Sequence, residues 1–156
     1  MKNESLANNV IGNSDAMKQI RKTILMVANS PHSVLITGES GTGKELIARQ
    51  IHYSSSRSAN AFVAVNLGAL PSNLAEIELL GYSKGAFTDA VKDKIGLIEL
   101  AHRGTLFLDE IGEASNTVQI QLLNFIENKG IRRLGQNEVR SVDEWDANGD
   151  VGSNTT

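Results

Sequence analysis

Gly38-Glu39-Ser40-Gly41-Thr42-Gly43-Lys44-Glu45, the stretch GESGTGKE, decides how the rest of the chain is read. Its spacing is that of a phosphate-binding loop, G-x-x-x-x-G-K, in which backbone N–H groups cradle phosphates and the lysine reaches the outer ones. The Ser or Thr that usually follows the lysine and holds magnesium is replaced by Glu45. A carboxylate there can face a magnesium ion through water or pair with a neighbouring cation. The flanks suit a phosphate loop. Ser33-Val34-Leu35-Ile36-Thr37 is a short β-branched run, expected to form a buried strand. Leu46 to His52 follow the loop in helical spacing, giving the order strand, glycine loop, helix that the motif requires.

Further elements follow on both sides. Met17, Ile20, Ile24 and Val27 recur at helical steps, with Ser14 or Asp15 as the cap. Phe62–Asn66 and Thr105–Leu108 read as strands, and Leu74–Leu80 as a short helix. The glycine-punctuated stretch 81–96, GYSKGAFTDAVKDKIG, reads as a loop. Val118, Leu122, Phe125 and Ile126 mark an amphipathic helix over 116–128, with Asn116 and Gln119 as a capping box and Gly130 as a stop. Ile131–Leu134 and Val139–Val142 flank GQNE as a β-hairpin. Strands alternating with helices around a glycine loop imply an α/β fold with a parallel sheet.

Asp109 and Glu110 end the strand of Thr105–Leu108, and so stand at the sheet edge where ligands bind. Asp109 suits a hydrated Mg²⁺, which takes few carboxylates, and Glu110 suits orientation of an attacking water. The chain has 156 residues, 40% of them hydrophobic, enough for one domain with a core. A net charge of −3 argues against a domain held to nucleic acid mainly by its own charge. There is no cysteine, which excludes disulfides and cysteine-ligated metals. No apolar run approaches the ~18 residues of a membrane span, and the first residues lack the apolar core of a signal peptide. A soluble cytoplasmic protein is expected. His32, His52 and His102 lack metal spacing and read as helix-end or surface residues, and Arg132, Arg133 and Arg140 as exposed charge on the hairpin.

GESGTGKE, GAFTDA and GTLFLDEIGE, in that order, resemble the central AAA+ ATPase domain of bacterial enhancer-binding proteins, the activators of sigma-54 RNA polymerase. The resemblance extends through IGNSDAMKQIR, ELLGYSKGAFTDA and QIQLLNFIENKGIRRLG, and covers about residues 11 to 143. Residues 1–10 then form a lead-in, and 144–156, EWDANGDVGSNTT, a polar tail. The resemblance implies a P-loop NTPase with ATP and Mg²⁺ as cofactors. It implies nucleotide contacts from Gly38, Glu39, Ser40, Gly41, Thr42, Gly43, Lys44 and Glu45, with metal binding by Asp109 and catalysis by Glu110. Asn66 matches the asparagine that holds the catalytic glutamate, although Leu67 stands where the family usually has Cys. Members of the family carry Glu after the loop lysine, so Glu45 conforms to their pattern.

Gly85, Ala86, Phe87, Thr88, Asp89 and Ala90 match the family's GAFTGA loop, which contacts sigma-54, with Phe87 and Thr88 as contact residues. Asp89 replaces a glycine and adds negative charge at the tip; it is expected to stiffen the loop, forbid positive φ there and weaken or retune sigma-54 engagement. The resemblance also implies self-association into a hexameric ring whose pore carries the hairpin. It stops near Asp143. The family's next strand, its γ-phosphate-sensing asparagine, its arginines in trans, its helical lid and its DNA-binding helix-turn-helix find no counterpart in the chain. The expected architecture is therefore an incomplete AAA+ parallel-sheet sandwich, with one inner strand and the lid missing. The expected function is the ATP-binding, sigma-54-remodelling domain of an activator. The alternatives are a truncated nucleotide- or sigma-54-binding module without turnover, or another AAA+ remodeller.

Overall fold

The computed structural model describes residues 14–137 and the backbone of 140–141. In chain order the elements are α1 (Asp15–Val27), α2 (Lys44–Tyr53), β1 (Phe62–Asn66), α3 (Ser72–Leu80), β2 (Gly81–Tyr82), β3 (Lys94–Ile95), α4 (Leu97–Leu100), β4 (Thr105–Asp109), a 3₁₀ turn (Ile111–Glu113), α5 (Asn116–Asn128), β5 (Gly130–Ile131) and β6 (Arg140–Ser141). The expected lead-in and the polar tail lie outside the described residues, as do Val139 and Val142 of the hairpin.

β1 and β4 pair in parallel, from Phe62 opposite Thr105 to Asn66 opposite Asp109. The register is set where the strands enter. Thr105 N donates to Ala61 O at 2.9 Å, and Asn60 Nδ2 to Arg103 O at 3.0 Å. Gly104 is required there, because a Cβ on it would stand 2.0 Å from the Ala61 carbonyl oxygen. Val65, Leu67, Leu79, Ile98, Val118, Leu122 and Ile131 form the buried core, packed by Val63, Leu106, Leu108 and Phe125. Each buried aliphatic side chain contributes roughly 1.5–3 kcal/mol. Leu67, where the resembling family carries Cys, is one of these core residues at 2% exposure.

The helices follow the expected spacing, and their ends differ in detail. Ser14 caps α1, accepting from Met17 N at 3.3 Å. The cap of α5 is Ser115, one residue before the expected Asn116, and it accepts from Val118 N at 3.4 Å. Gln119 does not reach back as a capping-box residue. Its Nε2 donates to the carbonyls of Ile111 and Ala114 and ties α5 to the 3₁₀ turn. Lys129, at φ 53°, ends α5 in place of Gly130, which opens β5. The stretch 81–96 is more ordered than a loop: β2 and β3 pair antiparallel at its base, and α4 follows directly. β5 and β6 pair antiparallel as the expected hairpin.

Three expectations are corrected. Ser33–Thr37 forms no strand, and Leu35 is 84% exposed. Its apolar β-branched composition suits a strand, but no neighbour among the described residues pairs with it. Arg133 is not exposed charge on the hairpin. It is 5% exposed and grips Glu99 with two hydrogen bonds, Nε to Oε1 at 2.8 Å and Nη2 to Oε2 at 2.6 Å, with Asp93 Oδ2 3.7 Å from Nη1. Arg132 is exposed, as expected. His52 has the helix-end place expected of it, in the last turn of α2, but it is not a surface residue. It is 1% exposed, its Nδ1 lies 2.9 Å from Thr105 Oγ1, and its ring contacts Tyr53 and Phe62.

Two outcomes follow from these buried groups. Replacing Arg133 by Ala strands the Glu99 carboxylate in the interior, and urea denaturation is expected to show a loss of about 3–5 kcal/mol. A loss under 1 kcal/mol would show that Glu99 reaches water. Burial lowers the His52 pKa below the ordinary 6.5, assisted by the Arg49 charge and opposed by a hydrogen bond to the Asn60 backbone. The unfolded chain therefore takes up this proton first as pH falls. The His52 contribution is complete above about pH 6.5 and is lost as pH falls from there through the lowered value. Melting temperatures across pH 8 to 5 should show this decline in the native chain and much less of it in His52→Gln.

Candidate phosphate-binding site and contact loop

Gly41 (φ 76°) and Gly43 (φ 85°) take left-handed conformations that only glycine adopts without strain, and Gly43 is the N-cap of α2. It offers no side-chain cap, so the first N–H groups of α2 stay open to an anion. The turn is closed by Thr42, whose Oγ1 donates to Glu39 O at 2.6 Å. Lys44 Nζ rests on the Gly38 and Glu39 carbonyls at 3.1 and 2.8 Å, and the residue is partly exposed. These are the donors and the mobile cation that an oligophosphate requires.

Glu45 turns away from the loop's mouth. Its Oε1 accepts from Arg49 Nε at 2.9 Å and Nη2 at 2.7 Å, one helical turn on. The Arg49 guanidinium in turn lies 4.5 Å from the centroid of the Phe62 ring. Of the two roles open to this carboxylate, the structure shows the ion pair.

α2 packs against both β1 and β4. Near its C-terminal end, Arg49 covers Phe62 at the start of β1 and His52 meets Thr105 at the start of β4. The helix therefore runs antiparallel to the strands. The rise from His52 back to Lys44 is about 12 Å, and that from Thr105 to Asp109 about 13 Å. The phosphate loop and the acidic strand end thus face the same edge of the sheet.

At that edge the parallel register sets Asn66 beside Asp109. Asp109 Oδ1 accepts from Glu110 N at 2.9 Å, and Glu110 takes a left-handed conformation at φ 53°. This turn carries the Glu110 side chain back over Gly68. A Cβ on Gly68 would stand 2.1 Å from Glu110 Oε2 and 3.3 Å from Asn66 Oδ1. Asn66 Oδ1 accepts from Ala69 N at 3.1 Å, which leaves the amide NH₂ as the donor end. Asn66, 43 positions before Asp109 in the sequence, is thus gathered in one place with Asp109 and Glu110. No cluster of three or more His, Cys, Asp or Glu residues with metal-holding geometry occurs among the described residues. That is compatible with a Mg²⁺ held mainly by phosphates, waters and one carboxylate.

The loop 85–90 stands apart from this edge. Gly85 N donates to Ala90 O at 2.8 Å and Ala90 N to Phe87 O at 3.0 Å, closing a tight turn. Phe87 is 42% exposed at its tip and Ala90 is buried at its foot. Asp89 is exposed and is not among the residues with positive φ, in keeping with the expectation that an aspartate forbids that conformation there. The loop base is tied to the segment after β5, with Ser83 N to Leu134 O at 3.0 Å and Leu134 N to Gly81 O at 3.1 Å. Lys94 pairs with Glu78 of α3 beside it.

Several supporting residues escaped the sequence reading. The i,i+4 spacing of Glu45 and Arg49 was a legible signal. Glu99 and Arg133 lie 34 positions apart, and no local pattern announces them.

A profile of the sigma-54 interaction domain matches residues 10–144. The signal-transduction and transcriptional-control protein of Clostridium beijerinckii is 50% identical over 137 residues, 87% of this chain and 22% of that protein. The Nif-specific regulatory protein of Klebsiella pneumoniae is 52% identical over 134 residues, covering 86% of this chain and 26% of its own. The chain thus spans about a quarter of the curated relatives it matches. Among solved structures, NtrX from Brucella abortus superimposes with a TM-score of 0.78 at 38% identity, over 90% of this chain and 31% of that one. A crystal structure of the same protein in complex with ATP gives a TM-score of 0.76 at 38% identity, over 85% of this chain and 28% of that one.

The Glu45–Arg49 pair is half exposed, so its stabilisation is small. Glu45→Gln is expected to cost about 0.5 kcal/mol or less in urea denaturation. Arg49→Ala should cost more, because it also removes the contact with the Phe62 ring, worth about 0.5–1 kcal/mol at such a site. Equal costs for the two variants would show that the ring contact contributes nothing.

Proposed function

Because this chain belongs to the family of sigma-54 interaction domains, we propose that it binds ATP with Mg²⁺ and couples its hydrolysis to remodelling of sigma-54 RNA polymerase. The observation that carries the reading is the shared sheet edge. An uncapped helix N-terminus with Lys44 faces the same side as Asn66, Asp109 and Glu110. In this proposal the α2 N–H groups and Lys44 hold the phosphates, and Asp109 takes the hydrated metal through the oxygen not engaged with Glu110 N. Glu110 orients the attacking water, and the Asn66 amide donates to Glu110 and fixes its direction. The crystal structure of NtrX with ATP supports the choice of nucleotide.

Phe87 and Thr88 form the sigma-54 contact, with Phe87 as an aromatic anchor of the kind that interfaces favour. Ring formation belongs to the same proposal. Turnover that rises with protein concentration would favour it, because rings share sites between subunits, and turnover should be slow where no arginine enters from a neighbour, a group worth about 10³–10⁵ in rate for related NTPases.

A second reading, nucleotide or sigma-54 binding without turnover, draws on the largely exposed segment 33–37, which pairs with no strand among the described residues. A phosphate loop whose lead-in is not fixed in a sheet can hold a nucleotide without placing it for attack.

A thermal melt with and without Mg-ATP separates these outcomes. Nucleotide at about 100 times its Kd stabilises the native state by about 2.7 kcal/mol, and the melting temperature should rise accordingly. Lys44→Ala should abolish the rise. An equal rise in that variant would sink the assignment of the phosphate site. A rise without measurable phosphate release at any protein concentration would establish the second reading.

A further inference from the structure

We infer that Tyr82 is a positioning residue for Phe87: its ring is the platform that holds the exposed aromatic of the 85–90 loop ready for a protein partner. The inference rests on the reading of that loop as a sigma-54 contact. The two ring centroids lie 4.8 Å apart at an interplanar angle of 67°, an edge-to-face pair. Phe87 is 42% exposed, so Tyr82 backs the ring while a large part of its surface stays open.

Tyr82 is itself held firmly. It pairs with Lys94 in the β2–β3 ladder and bridges Leu134 on its other side. The hydrogen bonds of Ser83 and Leu134 reinforce that bridge. Directly under the loop, Gly135 leaves room for Ala86, since a Cβ on Gly135 would stand 2.7 Å from the Ala86 Cβ. Lys84 N donates to Asp93 Oδ1 at 2.7 Å and closes the loop's other flank. The loop therefore rises from a hydrogen-bonded base, and the rotation of the Phe87 side chain at its tip is the freedom that Tyr82 can restrain. An edge-to-face contact restrains that freedom. A ring already ordered loses less entropy when a partner covers it, which is how pre-organisation raises affinity.

The hydroxyl of Tyr82 plays no part in this argument, whereas its ring is essential. Tyr82→Phe should therefore behave as the native chain and Tyr82→Leu should not. Sigma-54 binding is titrated with the full chain and with Tyr82→Phe, Tyr82→Leu and Phe87→Ala. The same chains carrying fluorophenylalanine report the surroundings of Phe87 by ¹⁹F resonance, assigned through Phe87→Leu. Tyr82→Leu is expected to weaken sigma-54 binding about two- to tenfold and to move the Phe87 resonance. Tyr82→Phe should do neither, and the melting shift with Mg-ATP should be the same in both.

Unchanged or tighter binding by Tyr82→Leu overturns the inference, as does a stationary resonance. If Phe87→Ala binds sigma-54 as well as the native chain, the contact reading fails. The ¹⁹F resonance then still decides separately whether Tyr82 holds the ring.

Discussion

The parallel ladder between β1 and β4 brings Asn66 opposite Asp109, and the chemistry of the sheet edge depends on that one register. A slip of one residue would turn each strand's side chains to the opposite face. Val65 and Leu67 would leave the core, and Asn66 would leave Glu110. The register is held far from the site, at the entry to the strands, where Gly104 lets the chain pass against Ala61 and where Asn60 and Thr105 tie the two segments together. Buried His52, bonded to Thr105, fixes α2 at the same place. The inert end of the sheet thus aligns the end that carries the carboxylates, and α2 transmits the alignment to the phosphate loop.

A second set of constraints ties the contact loop to the hairpin. Asp93 accepts from Lys84 at the loop's base and faces Arg133, whose guanidinium is committed to Glu99 of α4. Three segments meet at one buried cation: the loop's flank, α4 and the segment after β5. A buried ion pair is weak evidence for net stability, because its desolvation offsets much of the attraction. It is better evidence for geometry, since a guanidinium with two donors on one carboxylate admits few arrangements. The loop that presents Phe87 is thereby referenced to the core, even though its tip lies in solvent.

What the sequence made legible, and what it did not, follows from how local each feature is. GESGTGKE, Phe62–Asn66, Thr105–Asp109 and the helix over 116–128 carry their signals within a few residues, and all appear in the structure at the expected places. Caps shifted by one residue, as at Ser115, because several polar residues stood side by side and only tertiary packing chose among them. Arg133 looked like surface charge because its partner Glu99 lies in a helix of only four residues that has no legible period. Asp89, where the family pattern has glycine, was read as forbidding a positive φ, and its backbone has none. The approach of Glu110 to Asn66 depended on a left-handed turn at a non-glycine residue, which no composition rule anticipates.

Ser33–Thr37 is the most instructive departure. Its sequence favours a strand as strongly as that of β1, yet Val34 and Leu35 are exposed at 44% and 84%. Strand propensity describes how well side chains fit a pleated, half-buried surface, and it cannot supply the neighbouring backbone. The segment leads directly into the phosphate loop, and among the described elements no strand precedes that loop, whereas α2 follows it. Local stability is lowest where backbone hydrogen bonds and buried contacts are few. A ligand that ties the α2 N-terminus to Lys44 and to the far side of the loop would add contacts to a segment that has no strand partner among the described residues. Ordering of the loop and occupancy of its cradle are then one equilibrium. The affinity of the site measures the cost of fixing residues 33–43 as much as the strength of the phosphate contacts.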